Sequence, residues 1–194
     1  MYDPKKHHRR SIRLKGYNYA QEGLYFITLC TQGRAFIFGD IYQGNMHLNP
    51  IGQIAYKEWE QTEIIRKNCK IHEFIIMPDH IHGIIEITKN ESTDPAAIGK
   101  FKSPSQTIGA IIRGYKIATI KKIKDFINNS SSTGELQFAR TTKSGSQFAP
   151  TIEKIKAIDF KIWQRNYYDH IIRDQNAYER ISAYIRNNPK KWKK

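Results

Sequence analysis

Two histidines one residue apart, His80 and His82, sit in IHEFIIMPDHIHGIIEIT, residues 71–88. Residues two apart in a strand point to the same face, so a strand here presents both imidazoles together and turns Ile81 away. Ile84 and Glu86 share the histidine parity, whereas Ile81, Gly83, Ile85 and Ile87 form an apolar face able to pack on helices. Such a pair is a ready set of ligands for a divalent cation, although two strand histidines that only hydrogen-bond within a sheet give the same pattern. A second cluster, WQRNYYDHIIRD at 163–174, supplies tyrosine hydroxyls as candidate nucleophiles and a further imidazole.

Several elements are needed to position these groups. LYFITLCT (24–31) is aromatic and β-branched and reads as a buried strand, with a short partner strand near Met46–Leu48. Asn49-Pro50 supplies an N-cap and a first-turn proline, and Ile51, Ile54, Ala55, Trp59 and Thr62 recur at helical spacing, predicting a helix to about residue 67. Met77-Pro78-Asp79 separates two β runs and predicts a hairpin turn. Ser103 with Gln106 resembles a capping box for a helix running to about Phe126, with a stripe of Ile108, Ile111, Ile112, Tyr115 and Ala118. IEKIKAIDFKIWQ (152–164) has partial alternation and reads as a further strand, and Asp174 caps a last helix that Pro189 stops. The resulting order of strands and helices predicts an α+β fold, an antiparallel sheet with helices packed on one face.

The chain reads as one domain, 1–194, with a basic arm at 1–20 and a Ser/Thr/Gly-rich flexible insertion at 128–150. Thirty-two Lys and Arg against eighteen Asp and Glu give a net charge of +14, which points to a polyanionic partner, nucleic acid before all others. Arg9, Arg10, Arg13 and Lys15 alternate with Tyr17 and Tyr19 in a composition suited to phosphates and stacked bases, or to a solvated arm. Arg113, Lys116, Arg165 and Arg173 are further candidate phosphate contacts. Neither a spanning segment nor a secretory h-region is evident, so no membrane partner and a bacterial cytoplasmic location are expected. Cys30 and Cys69 lack CxxC spacing and read as small core residues, and the KKWKK run at 190–194 reads as a solvated tail or a source of nonspecific affinity.

Taken together, RRSIRLKGYNY (9–19), YFITLCTQGR (25–34), MPDHIHGII (77–85), IGAIIRGYK (108–116), WQRNYYDHIIRD (163–174) and YIRNNP (184–189) resemble the REP-associated tyrosine transposases, relatives of single-tyrosine insertion-sequence transposases. The blocks span nearly the whole chain outside 128–150. The resemblance implies a ferredoxin-like or RRM-like sheet and a metal site at His80 and His82. It also implies a nucleophilic tyrosine after the Trp-Gln-Arg block, which by position is Tyr167, with Tyr168 left to packing or base stacking. His170, three residues on, shares the Tyr167 face if this stretch is helical and is then the third ligand, with Asp169 as the alternative. The family's polar residue one turn after the tyrosine is missing in this registration, because Ile171 lies four residues on. The implied metal is magnesium or manganese, polarising a scissile phosphate for in-line attack by the phenolate.

That resemblance implies nicking and joining of single-stranded DNA, near a hairpin, through a covalent phosphotyrosine, by a monomer or homodimer. Two other readings remain open at this level. A noncatalytic DNA-binding protein of the same fold would bind with strong salt dependence and form no adduct. A small-phosphate hydrolase would explain the strand histidines, but Ile84 stands where a third alternating histidine is required and the charge is left without a purpose.

Overall fold

The computed structural model describes residues 19, 21–88, 106–132 and 143–192. Its strands are β1 (Gly23–Cys30), β2 (Gly39–Tyr42), β3 (Asn45–Leu48), β4 (Cys69–Met77), β5 (His80–Ile87) and β6 (Tyr168–Ile172). Its helices are α1 (Pro50–Ile65), α2 (Ile108–Ser132), α3 (Lys143–Ala157), α4 (Gln175–Arg186) and the single turn α5 (Asn188–Lys191). Four strands form an antiparallel sheet ordered β4-β5-β1-β6, the split arrangement of a ferredoxin-like α+β fold, with β5 and β1 at its centre. β2 and β3 form a separate ribbon, so the strand at Met46–Leu48 pairs with β2 and not with β1.

Local signals explain the well-read elements. Asn49 accepts a hydrogen bond from the Gly52 amide at 2.9 Å and starts α1, while Pro50 occupies the first turn. Pro78-Asp79 makes a two-residue turn between Met77 and His80, which pair with each other. Asp174 caps α4 by accepting from the Ala177 amide at 2.7 Å. One face of β1 and β5, carrying Tyr25, Ile27, Leu29, Ile81, Ile85 and Ile87, packs in a large core with Trp59 of α1 and Tyr115 of α2.

Four expectations need correction. Residues 152–157 are helical, with Ile152 and Ile155 buried and Ile158 half-buried at a spacing of three, so helical periodicity overrides the partial alternation. The final sheet strand comes later, at Tyr168–Ile172, so the stretch after Tyr167 is extended and the helical condition that put His170 on the Tyr167 face is not met. Helix α2 runs on to Ser132 and α3 begins at Lys143, so both ends of the 128–150 segment are helical. Helices on one face describes α1 and α2 but not α4, whose Ala177 and Ile185 pack against Ile84 and Ile172 on the histidine face. Arg13 and the Ser103 cap lie outside the described residues; Thr107 accepts from the Ala110 amide at the start of α2. Among the described residues no helix is long and apolar enough to cross a membrane.

Candidate active site

Strand parity places His80 and His82 on the same face of β5, 4% and 6% exposed, with ring centroids 4.4 Å apart. Each ring is held by its own partners. His80 Nδ1 donates to Asp79 Oδ1 at 2.6 Å, and Arg34 Nε donates to Asp79 Oδ2 at 2.8 Å. The carboxylate therefore fixes the tautomer and leaves His80 Nε2 for a ligand, the arrangement by which a carboxylate orients a metal-binding histidine. Asp79 serves the turn as well, but its side chain is committed to this chain of contacts.

The turn itself is clamped from the loop after β1. Thr31 donates to the Asp79 carbonyl through its amide at 2.9 Å and its hydroxyl at 3.0 Å, and the Ile37 amide donates to the Pro78 carbonyl at 3.0 Å. In that loop Arg34 adopts a left-handed backbone, φ 55°, uncommon for a residue with a side chain. The side chain meets Asp79 through Nε and the Cys30 sulfur through Nη1 at 2.9 Å.

His82 Nδ1 lies 2.9 Å from the Thr28 hydroxyl, and the Phe26 ring stacks on the imidazole at 5.3 Å. Burial, reinforced by His80 and Arg34, pushes its pKa down to about 3, so the ring is neutral at ordinary pH and keeps a nitrogen lone pair. Its Nε2 is 3.2 Å from the hydroxyl of Tyr184, on α4. Tyr184 is 43% exposed, at the mouth of a cleft of about 420 Å³ that it lines with Thr28, Arg34, both histidines and Asn188. Besides its apolar contacts, α4 is tied to β4 by Tyr178 OH with His72 Nδ1 at 3.2 Å and by Arg186 with Glu73 at 3.0 Å. The tyrosine is thus supplied to the histidines by the same chain.

Tyr167 does not reach this site. It packs on the core of the opposite sheet face, and Lys116 Nζ lies 5.8 Å from its ring. Because 168–172 is a strand, Tyr168 and not Tyr167 shares the histidine face; it is 52% exposed and meets Phe26 edge-on at 6.4 Å. His170 also faces that side, but it pairs with Phe26 on the edge strand, two strands from β5, and lines a different cleft with Arg173 and Arg180. Asp169 pairs with Ile27, whose parity is that of the opposite face. Among the described residues no group of three His, Cys, Asp or Glu is placed to hold a metal, so the set of His80, His82 and His170 is not assembled.

Asn188, buried and lining the histidine cleft, was not singled out from the sequence. It lies four residues after Tyr184, where the resemblance calls for a polar residue; YIRNNP carried that spacing. Two imidazoles and an amide oxygen form a donor set suited to a divalent cation. Among the predicted phosphate contacts, Arg165 and Arg173 are exposed beside β6, and Arg113 is exposed on α2. Lys116 instead turns inward, donating to the carbonyls of Gln164 at 2.7 Å and Asn166 at 3.3 Å, and burial pushes its pKa down to about 8.

The fold is of a kind found in transposases. The structure of the REP-associated tyrosine transposase bound to a REP hairpin matches with a TM-score of 0.51 and 16% identity, over 94% of this chain and 74% of that one, a likeness of fold. No family model matches. A Haemophilus influenzae protein described as uncharacterised is 38% identical over 198 residues, covering 98% of this chain and 93% of its own length. The chain belongs to the family of that Haemophilus influenzae protein.

Proposed function

We propose that the protein nicks and rejoins single-stranded DNA, with Tyr184 as the nucleophile. The observation that carries this reading is the Tyr184 hydroxyl, 3.2 Å from His82 Nε2, at the mouth of a cleft that also holds His80 and Arg34, both bound by Asp79. The phenol loses its proton, its oxygen forms a bond to phosphorus, the P–O3′ bond breaks, and O3′ leaves as a hydroxyl after protonation. The phosphotyrosine keeps the bond energy of the diester, so a 3′-hydroxyl from the same or another strand can reverse the step without a nucleotide cofactor.

His80, His82 and Asn188 are the residues that would hold a divalent cation, magnesium or manganese, which when bound withdraws charge from the scissile phosphate. Asp79 keeps His80 in the tautomer with Nε2 available. His82, neutral through burial, adds no competing positive charge beside the donor set. Its Nε2 can either face the phenol, as here, or ligate a cation, so these are alternative states of one nitrogen. Arg34 leaves part of its guanidinium on the cleft beside the incoming phosphate.

The high positive charge favours DNA over a small phosphate compound. The fold neighbour is bound to a REP hairpin, which supports single strands flanking a hairpin as the substrate. Labelled strands of this kind, incubated with manganese and run on a denaturing gel, should give a covalent adduct that Tyr184→Phe abolishes and Tyr167→Phe retains. An adduct that survives Tyr184→Phe would overturn the assignment. Salt-sensitive binding with no adduct from wild type would instead mark a noncatalytic DNA-binding protein.

A further inference from the structure

The His80 end of the cleft is bordered by an aromatic ring that the proposed reaction does not use, and a second ring packs against it. Trp192 follows α5 and lies with its ring 5.7 Å from that of His80, tilted by 32°. Phe36 meets Trp192 at 5.7 Å and 63°, and Phe36 is 39% exposed. Arg34 and Lys191 border the same cleft. The indole N–H of Trp192 is buried and finds no acceptor among the described residues, so ring contacts and not a hydrogen bond hold the side chain.

We propose that Trp192 and Phe36 form a shelf on which one nucleobase next to the scissile phosphate stacks, with Arg34 and Lys191 on the phosphates beside it. The inference rests on single-stranded DNA entering this cleft. Cations alone attract any polyanion and leave its bases free to swing. A ring at the cleft margin adds the contact that fixes a base, and because every base has a π face the contact tolerates any sequence. Rings beside cations are the combination that single-stranded DNA-binding grooves use, and here Trp192, Arg34 and Lys191 line the cleft that holds Tyr184, with Phe36 against the indole. Trp59 and Trp163 are buried in the core, so emission that changes on binding reports on Trp192.

The test is a fluorescence titration of the full chain in EDTA with an oligothymidylate of about twelve nucleotides, compared with an abasic strand of the same length and charge. Oligothymidylate should quench the emission that wild type has in excess of Trp192→Phe, and the abasic strand should not. Trp192→Ala should weaken oligothymidylate about tenfold and leave the abasic strand within about twofold, while Trp192→Phe should restore most of the loss. Phe36→Ala should show the same selectivity to a smaller degree, which covers the case of a poorly folded Trp192→Ala. Equal weakening of both strands, or unchanged oligothymidylate binding, would overturn the shelf alone. A wild type that binds neither strand would overturn the shelf together with the DNA reading, and the Tyr184 adduct tests that reading separately.

Discussion

The two faces of the sheet solve different problems. On one, Ile81, Ile85 and Ile87 of β5 and Tyr25, Ile27 and Leu29 of β1 meet α1 and α2 in a continuous apolar layer. The Tyr115 hydroxyl is tied into that layer by donating to the Ala55 carbonyl at 3.0 Å. On the other, α4 is anchored by a small cluster around Ile84, Ile172, Ala177 and Ile185, and the space beyond it is left to histidines, Thr28, Arg34 and Tyr184. The same strand thus carries stability on odd-numbered residues and chemistry on even-numbered ones.

Substitutions on the two faces should therefore separate stability from activity. The largest separation is between Tyr184→Phe and Trp59→Ala. The first should remove the adduct while leaving denaturant unfolding nearly unchanged. The second should cost roughly 3–5 kcal/mol in the same unfolding experiment, because it empties a fully buried indole site. A strongly destabilised Tyr184→Phe would mean that the hydroxyl belongs to the fold.

Acid comes next. The folded pKa of His82 is depressed below that of the unfolded chain, so the unfolded state binds the extra proton between about 6.5 and about 3. The metal-free protein should lose stability as pH falls through that window and show no His82 contribution above it, with the total at most a few kcal/mol. An unfolding midpoint that holds from neutral to acidic pH in wild type would show that the ring is solvated. Asp79→Asn should weaken manganese binding about 10–100-fold in a calorimetric titration, since the carboxylate no longer orients His80. Unchanged affinity would assign Asp79 to the turn alone.

The smallest effect is on the core side. Lys116→Met removes the donor to Gln164 and Asn166 and should cost about 1–2 kcal/mol of unfolding stability. The salt dependence of DNA binding should not change. A shallower salt slope would return Lys116 to the phosphate contacts.

Much of this division could be read from residue order. The parity of His80 and His82, the Asn49 and Asp174 caps and the Pro78-Asp79 turn are local signals, and each appears in the structure as its chemistry requires. The tyrosine was not local. Tyr184 meets His82 from 102 positions away, on a helix that returns over the sheet, whereas Tyr167 merely lay beside a conspicuous run of polar and aromatic residues. The cue was the spacing of Tyr184 and Asn188 within YIRNNP. The Trp192 contact was hidden for a similar reason, since KKWKK has the composition of a solvated tail. At 152–164 the isoleucines satisfied two periods at once, and burial of every third residue decided for the helix.

Gly83 lies between these two jobs. A Cβ at this position would come 2.6 Å from Trp59 Cζ2 and 3.1 Å from the Phe74 Cβ, so the strand carrying both imidazoles rests on the indole with no side chain between them. Positions 59 and 83 therefore share one volume, and a side chain gained at 83 needs room given up at 59. Enlarging residue 83 alone must move either the indole or the strand that carries His80 and His82.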